Sequence, residues 1–510
     1  MRFEQLLSAH ALRHPDNTSL VCGERRLSFA ELRDSARRLA AGLIQLGIRP
    51  GDKVGIHLPN GVEFIQAFYA IHYAGGVVVP LSTWLTLQEV AHACEDSRAK
   101  LLFVGDERAD AALKLFAGAD ITLVACGAAR DGAQSFDALL GTPEQELPSI
   151  PDDQDECLIL YTSGTTGKPK GAVLSHDNLL FPAGFVSAAE WGVSPEDRFL
   201  VAAPLANRTG IGRITNAVTM GSLLVILESF DPEKFASVVE REQITVVGMV
   251  PTMCRRLLPV IEQTDGRCPS LRVVLVTGEA FPVDGKKRFL KALPNARLVS
   301  YYGMTEIGAA TVLTHQEQFT HAASVGRPAL GVEIGIMDKS DRLLPAEDVG
   351  EVVLRGRAGG YNIMKGYFER PEATAETIRD GWLRTGDLGR LDAEGYLYIV
   401  DRKKDMIVSG GFNIYSKEVE DIVQRLAGVG SAAAVGVPDE SFGEAVALFI
   451  EAAPGQESPG KDAIIAHCQE HLAAYKKPRH IFYIDAMPRN SIGKILKREL
   501  AEKAKAALAG

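Results

Sequence analysis

The feature that most constrains this chain is a repeated alternation of apolar strand and amphipathic helix through its first two-thirds. "KVGIHLP" reads as a strand, "GVEFIQAFYAIHYAG" as a helix and "GVVVPLS" as a strand, and "TLQEVAHACEDS" with "KLLFVG" repeats the pair. Strands that return in the same direction need a helical crossover, so the pattern predicts parallel sheet with helices on its faces. "LSFAELRDSARRLAAGLIQLGIRPGD" carries its own helix signals. Ser28 and Glu31 fit a capping box, Leu32, Leu39, Leu43 and Leu46 keep helical spacing, and Gly47 with Pro50–Gly51 ends the run.

A second alternating stretch runs from about 157 to 325, through "CLILYT", "SLLVILES", "ITVVGMVP", "RVVLVTG" and "RLVSYYG". From about 330 the texture changes to short strands between turns: "VEIGIMD", "GEVVLRG" and "GYLYIVD". A small α+β unit follows the charged stretch "DRKKD" (401–405), which is taken as a boundary. The expected fold is α/β. A large N-terminal domain of stacked α/β sheets (1–400) carries a β-rich subdomain, and a small α+β domain (406–510) follows it. At 510 residues the chain is too long for one core, which agrees with two or three domains.

Composition excludes several classes. A hydrophobic fraction of 46% and a charged fraction of 24% are those of a soluble globular protein, and no apolar run reaches the roughly 18 residues of a membrane span. The N-terminus has neither a long apolar block nor a small-residue cleavage site, so no signal peptide is expected. The seven cysteines are scattered without a CxxC pair, which points to buried free thiols in a reducing, cytoplasmic setting. A net charge of −10 argues against nucleic acid as a partner, and any anionic ligand needs locally placed cations. Oligomeric state is open, a homo-oligomer included.

"YTSGTTGKPKG" (161–171) is a Gly-, Thr- and Lys-rich loop springing from an apolar strand, where ligands collect in α/β sheets. Gly164, Gly167 and Gly171 allow close backbone approach; Ser163, Thr165 and Thr166 offer hydroxyls; Lys168 and Lys170 offer charge. It is not a Walker A loop. Two residues rather than four separate Gly164 from Gly167, and Pro169 follows Lys168 where Ser or Thr would stand. Proline also lacks the N–H that a helix-opening phosphate cradle would use.

Further motifs follow. "YYGMTE" (301–306) offers flat faces at Tyr301 and Tyr302, close approach at Gly303 and a hard carboxylate oxygen at Glu306. Taken alone, its Thr–Glu pair also reads as a helix cap. "WLRTGDLGRL" (382–391) places Asp387 after a glycine, in a tight turn where an Asx-turn is the plain alternative. "GYLYIVDRKKDMIVSGGFNIYSKEVE" carries Gly410–Gly411 at a turn, with a helix starting near Ser416. "PRNSIGKILKREL" (488–500) puts Lys494 after a glycine near the chain end.

In order and approximate spacing, over essentially the whole chain, these motifs resemble those of the adenylate-forming superfamily. That superfamily comprises acyl- and aryl-CoA synthetases, nonribosomal peptide adenylation domains and firefly-type luciferases. The resemblance implies two half-reactions. A carboxylate attacks the ATP α-phosphate to give acyl-AMP and pyrophosphate; a thiol, here of coenzyme A, then attacks the adenylate and expels AMP. ATP, Mg²⁺, coenzyme A and a small carboxylic acid are the implied ligands.

The resemblance also assigns residues. Thr162, Ser163, Gly164, Thr165, Thr166, Gly167 and Lys168 match the loop holding the β- and γ-phosphates. Thr305 matches the α-phosphate contact, Glu306 the Mg²⁺ carboxylate with Thr165 beside it, and Met304 its neighbour in the nucleotide motif. Gly278, Glu279 and Ala280 match the adenine-flanking segment, with Tyr301, Tyr302 and Gly303 against the base. Asp387 matches the ribose ligand, helped by Arg402, with Ile399 nearby. Lys494 matches the adenylation lysine, a cation bridging two anions in the transition state. At about 4 Å and an effective dielectric of about 20, such a contact is worth up to roughly 4 kcal/mol. Lys404, within 401–405, matches a hinge about which the C-terminal domain turns between half-reactions, bringing Gly410 and Gly411 to the thiol channel.

One segment departs from the family pattern. Where an aromatic–His pair usually follows Pro–Leu, residues 204–210 read "PLANRTG". Ala206 opens space, Asn207 cannot titrate, and Arg208 would meet a second polar group on the substrate or, more plainly, a surface or structural ion pair. Ala206, Asn207, Arg208 and Gly210, with Gly278, Gly303 and Gly308, form the expected acyl pocket. An aryl, a medium or branched aliphatic, or a dicarboxylic acid fits. Transfer to a stand-alone carrier protein is the alternative to CoA, but no LGG-x-S carrier signature follows. A non-catalytic protein on the same fold is disfavoured by the presence of Lys494, Glu306 and Asp387 together.

Overall fold

The computed structural model describes the 510-residue chain except Asp152, 163–168, 264–266, Ala280, 357–362, Gly411, 490–494 and Gly510. The chain divides into two compact units, Met1–Ile334 with Leu354–Leu383, and Gly335–Val353 with Arg384–Gly510.

The first unit holds two large sheets. One runs in the order Arg297–Ser300, Val273–Val276, Val246–Met249, Arg198–Val201, Leu223–Ile226, Thr18–Cys22 and Arg25–Ser28, parallel except for the final pair. The other centres on Lys53–His57, Val77–Pro80, Ala99–Gly105 and Thr122–Cys126, all parallel. Each strand expected from the sequence is present. The capping box at Ser28 and Glu31 opens the helix Phe29–Gln45, with the Ser28 Oγ accepting from the Glu31 N–H. Pairing does not follow chain order. Thr18–Cys22 joins the sheet of the second alternating stretch, and Glu156–Thr162 pairs with Val77–Pro80 in the sheet of the first. Both strands are buried on both faces along most of their length, so periodicity does not say which sheet receives them.

Side chains from the first sheet and its helices, among them Val21, Leu200, Phe235, Val247, Val274 and Leu298, form one buried core. At about 25 cal/mol per Å² of apolar surface, each such side chain contributes roughly 1.5–3 kcal/mol. This rigid layer fixes the carboxyl ends of its parallel strands, where the site is built.

The second unit centres on the long antiparallel pair Val429–Asp439 and Gly443–Ala452, flanked by Ile407–Ser409, Phe412–Ile414 and His480–Tyr483. Period-2 alternation splits its cores. Ala432, Ala434, Val446, Leu448 and Ile450 pack with the helices Ser416–Val423 and Lys461–His471. Ala433, Val435, Ala445, Ala447 and Phe449 pack with Lys497–Ala509. All seven cysteines are free, and burial raises the thiols of six of them well above the ordinary range. No helix among the described residues is long and apolar enough to cross a membrane.

Candidate active site

The glycine-rich loop joins two antiparallel strands, Glu156–Thr162 and Lys170–Ser175, rather than opening a helix. Thr162 pairs with Lys170 at its base; Ser163 through Lys168 lie outside the described residues. The structure gives Gly171 a packing role, since a Cβ there would lie 2.6 Å from Ile159 Cγ2. Beyond it, Gly366–Tyr367 adds a strand to Lys170–Ser175. Lys170 Nζ sits 5.2 Å from the Tyr367 ring centre, and the Tyr367 hydroxyl donates to Glu306 Oε1 at 2.9 Å. The backbone N–H of Met364 donates to the Glu306 carbonyl at 2.7 Å. Glu306 is thereby fixed beside the loop's base, with Lys170, whose charge the sequence offered, and Tyr367, which sequence reasoning missed, as its companions. Two motifs far apart in the chain meet here through strand pairing.

The sequence allowed Thr305–Glu306 as a helix cap; the structure has a β-hairpin instead. Gly303 pairs with Ala309 and Met304 with Gly308, leaving 305–307 as its turn. A side chain at Gly303 would run into the Gly308 carbonyl, and Gly308 itself has φ +83°. No local signal marked this hairpin, because its strands are two residues long. Thr311 Oγ1 receives the Tyr302 N–H at 3.1 Å and anchors the turn by donating to the Val325 carbonyl. Thr277 Oγ1 donates to the Tyr301 carbonyl at 2.9 Å. Gly278 has φ +96°, a conformation that favours glycine. Glu279 accepts from Thr252 Oγ1 at 3.3 Å and lies 3.6 Å from the Arg255 guanidinium. Ala280 lies outside the described residues.

The segment 204–210 is held from a distance. Asn60 donates to the Ala203 and Leu227 carbonyls at 3.0 and 3.2 Å, and its Oδ1 accepts from the Leu205 N–H at 2.8 Å. Asn60 is thus a positioning residue that its own neighbourhood in sequence does not reveal. Ala206 is buried, and Asn207 precedes the helix Arg208–Met220 without capping it through its side chain. Gly210 faces the Pro204 carbonyl so closely that a side chain has no room. The structural ion pair expected for Arg208 is not formed with any described residue; its Nε is buried without a partner, and Nη2 lies 2.7 Å from where a Cβ on residue 308 would stand. Burial lowers Arg208 to about 10, so it stays cationic at neutral pH.

A cavity opens at the carboxyl ends of four adjacent parallel strands, walled by Val201–Ala203, Thr209, Arg213, Gly248–Val250, Thr277 and Tyr301. Ala206, Asn207, Arg208, Gly210, Gly278, Gly303 and Gly308 are not among its walls. Arg213 was not singled out by any motif. It lies flat against Gly248, with its guanidinium 5.5 Å from the Trp191 ring centre.

In the second unit, Asp387 sits within the strand Trp382–Leu391 rather than in a tight turn, and pairs across the ladder with Arg402. Arg402 Nε lies 3.3 Å from Asp387 Oδ1, so the two residues expected to act together meet. Thr385 Oγ1 accepts the Asp387 N–H at 3.0 Å and donates to the Val352 carbonyl at 2.7 Å. Ile399 lies on the neighbouring strand opposite Gly389. Lys404 is exposed in a turn closed by Asp405 and Met406 N–H groups donating to the Arg402 carbonyl. Gly410, at φ +58°, donates its N–H to the Phe442 carbonyl at 2.8 Å; Gly411 is outside the described residues.

Lys494 is also outside them, but its flanks are pinned. Arg489 pairs with Ile495, and the Leu496 N–H donates to the Pro488 carbonyl at 2.8 Å. The helix that follows is tied to Asp401 and the helix Ser416–Val423 by a largely buried network. Asp401 accepts from the backbone and hydroxyl of Ser416, Lys497 Nζ donates to Ser416 Oγ at 2.6 Å, and Lys497 reaches Glu420 at 2.6 Å. Burial raises both carboxyls, Asp401 and Glu420, and Lys497 opposes that rise.

Residues 7–368 match the family model described as AMP-binding enzyme, and residues 418–494 match AMP-binding enzyme C-terminal domain. A feruloyl-CoA synthase from an Amycolatopsis species is 37% identical over 492 residues, covering 96% of each chain. A 2-succinylbenzoate–CoA ligase from Geobacillus kaustophilus is 33% identical, with 97% of this chain and 96% of that one covered. Among solved structures, ATP-bound MatB from Rhodopseudomonas palustris has a TM-score of 0.89 at 30% identity, covering 99% of this chain and 100% of that chain. The o-succinylbenzoate CoA synthetase of Bacillus subtilis, in complex with its acyl-adenylate intermediate, has a TM-score of 0.86 at 29% identity, covering 97% of each chain. With both family models matched in order and relatives aligned almost end to end, the chain belongs to the adenylate-forming superfamily, as an AMP-forming acyl- or aryl-CoA synthetase.

Proposed function

We propose that this synthetase divides its two half-reactions among the residues as follows. The loop 163–168 and Lys168 grip the pyrophosphate that leaves, while Thr305 contacts the α-phosphate. Glu306 holds Mg²⁺; its fixed carboxylate beside Tyr367 and Lys170 supplies the oxygen donor that a hard cation takes. When bound, the ion neutralises charge on the phosphates. Tyr302, Gly278 and Glu279 flank the adenine, and Asp387 with Arg402 takes the ribose hydroxyls. Lys494 bridges the attacking carboxylate and the α-phosphate, and Gly410–Gly411 leave room for the pantetheine arm. The acyl group enters the cavity at the strand ends. The observation that carries this reading is the meeting of Glu306 with the base of the phosphate loop through Tyr367.

The test is a library of aryl, aliphatic and dicarboxylic acids with ATP, Mg²⁺ and CoA, read as pyrophosphate and AMP release. Carrier proteins run in parallel as acceptors. The expected result is acid-dependent release of both products with CoA. Lys494→Ala is expected to lower the first half-reaction several hundred-fold, about 3.5 kcal/mol, and to spare thioester formation from preformed acyl-AMP. Equal loss in both half-reactions removes the role given to Lys494.

A further inference from the structure

Two cations in the first unit, Arg213 buried and Arg208 half-buried, have no anion opposite them among the described residues. Arg208 and Arg213 lie on one helix, Arg208–Met220. Arg208 Nε and Arg213 Nε and Nη1 are buried with no hydrogen-bond partner among the described residues. The titratable groups that bear on the guanidiniums are Tyr301 for both, with Cys157 and Arg213 for Arg208, and none of these is a carboxylate. Arginine stays protonated in proteins, and a buried charge left unpaired is costly. Stacking on Trp191 answers one face of Arg213, but a ring face accepts none of its N–H groups in the plane.

The surroundings say what would complete them. Arg213 walls the cavity alongside apolar Val201, Ala202, Met249 and Val250, with Thr209, Thr277 and Tyr301 as its polar neighbours. A cation with free in-plane donors, set among apolar walls, recognises an anionic group carried on a hydrocarbon or aromatic spacer. The neighbouring Arg208 adds a second positive charge without an opposing one.

From this pair we infer that the acid activated by this enzyme carries a second anionic group, and that Arg213 binds it, with Arg208 reinforcing the field. The inference rests on the cavity at the strand ends being the acyl pocket. The substrate class is then a dicarboxylic acid, one carboxylate reacting at the α-phosphate and the other held by Arg213. The far carboxylate makes and breaks no bond; it lends binding energy and register. Arg213 is therefore a specificity-determining residue, and the unpaired guanidiniums are the free enzyme's half of an ion pair that substrate completes.

The experiment compares aliphatic and aryl dicarboxylic acids of graded length, 2-succinylbenzoate among them, with the same acids blocked as methyl esters at the far carboxyl. Full-length enzyme is assayed with ATP, Mg²⁺ and CoA. Calorimetry of each acid with the enzyme and a non-hydrolysable ATP analogue gives a readout independent of turnover. The free dicarboxylate is expected to be favoured about ten- to a hundredfold in kcat/KM and in affinity, the range of a charge-assisted hydrogen bond. Arg213→Met is expected to erase that preference while retaining use of the blocked ester, and Arg213→Lys to restore part of it. Thermal unfolding of each variant separates loss of fold from loss of recognition. Equal use of both forms by the wild type overturns the inference and leaves the proposed function standing. So does an equal fall for both forms in a folded Arg213→Met protein, which places Arg213 at the reacting carboxylate or in structure. Failure to adenylate any acid overturns both readings together.

Discussion

Tyr367 illustrates how much a single side chain carries here. Its hydroxyl fixes Glu306 at 2.9 Å, and its ring faces Lys170 at 5.2 Å. Burial and the Glu306 charge hold the phenol above its ordinary range, so it remains a donor throughout the working pH. Hydrogen bonds to charged groups are worth about 1.5–3 kcal/mol. Tyr367→Phe is therefore expected to lower kcat/KM for ATP roughly tenfold, about 1.4 kcal/mol, with part of the loss recovered by raising Mg²⁺. An unchanged Mg²⁺ dependence in a Tyr367→Phe titration would remove the link between this tyrosine and the carboxylate proposed to hold Mg²⁺. Neither Tyr367 nor Asn60 was legible in the sequence. Each acts on a residue more than 60 positions away, and only folding creates that proximity.

At the scale of elements, the helix Phe3–Arg13 docks on Val62–Tyr73 through a cluster of buried rings. His72 stacks on Phe3 with centroids 5.1 Å apart and lies 5.1 Å from His176. Both His72 ring nitrogens are buried without partners among the described residues, and burial lowers it to about 3. The sign follows from linkage. A histidine depressed from 6.5 to about 3 contributes full stability above pH 6.5, and that stability is lost as pH falls toward 3. The slope is about 1.4 kcal/mol per pH unit for this one proton. Glu4, raised to about 7 by burial, works oppositely: its contribution is present below pH 4.5 and is lost as pH rises toward 7. The difference between wild type and His72→Phe isolates the histidine. Denaturant unfolding from pH 7 to 4.5 should show a shallower acid limb in His72→Phe; parallel limbs would contradict a buried neutral His72. Long strands and capped helices were legible at this scale, as at Ser28–Glu31. The hairpin 303–309 was not, because its two-residue strands leave no periodicity, and neither was the antiparallel pairing around the glycine-rich loop, because periodicity does not say in which direction a strand pairs.

For the whole molecule, compactness and motion need not share a boundary. Contacts place 335–353 with the C-terminal unit, whereas the sequence placed its boundary at 401–405. We retain 401–405 as a proposal about motion. The hydrogen bonds around Lys404 come from the Lys403, Asp405 and Met406 N–H groups, so a proline at 404 removes no donor from them, while it restricts the backbone of Lys403 and stiffens the turn. Lys404→Pro is expected to keep acid-dependent pyrophosphate exchange and to lose thioester formation by at least about tenfold. Measured separately, an equal fall in the two rates would reject Lys404 as a hinge.

The sequence by itself determined the class of this protein. The motifs that hold Glu306, Asp387 and Lys494 stand in a characteristic order along the chain, and an alternating apolar pattern dictates parallel sheet. The tertiary structure alone decided which sheet each strand joins, that Tyr367 holds Glu306, and that Arg208 and Arg213 face no anion among the described residues. Those facts depend on distances between residues far apart in the chain. Burial then sets what each contact is worth, since an unpaired charge costs little in water and much inside a protein.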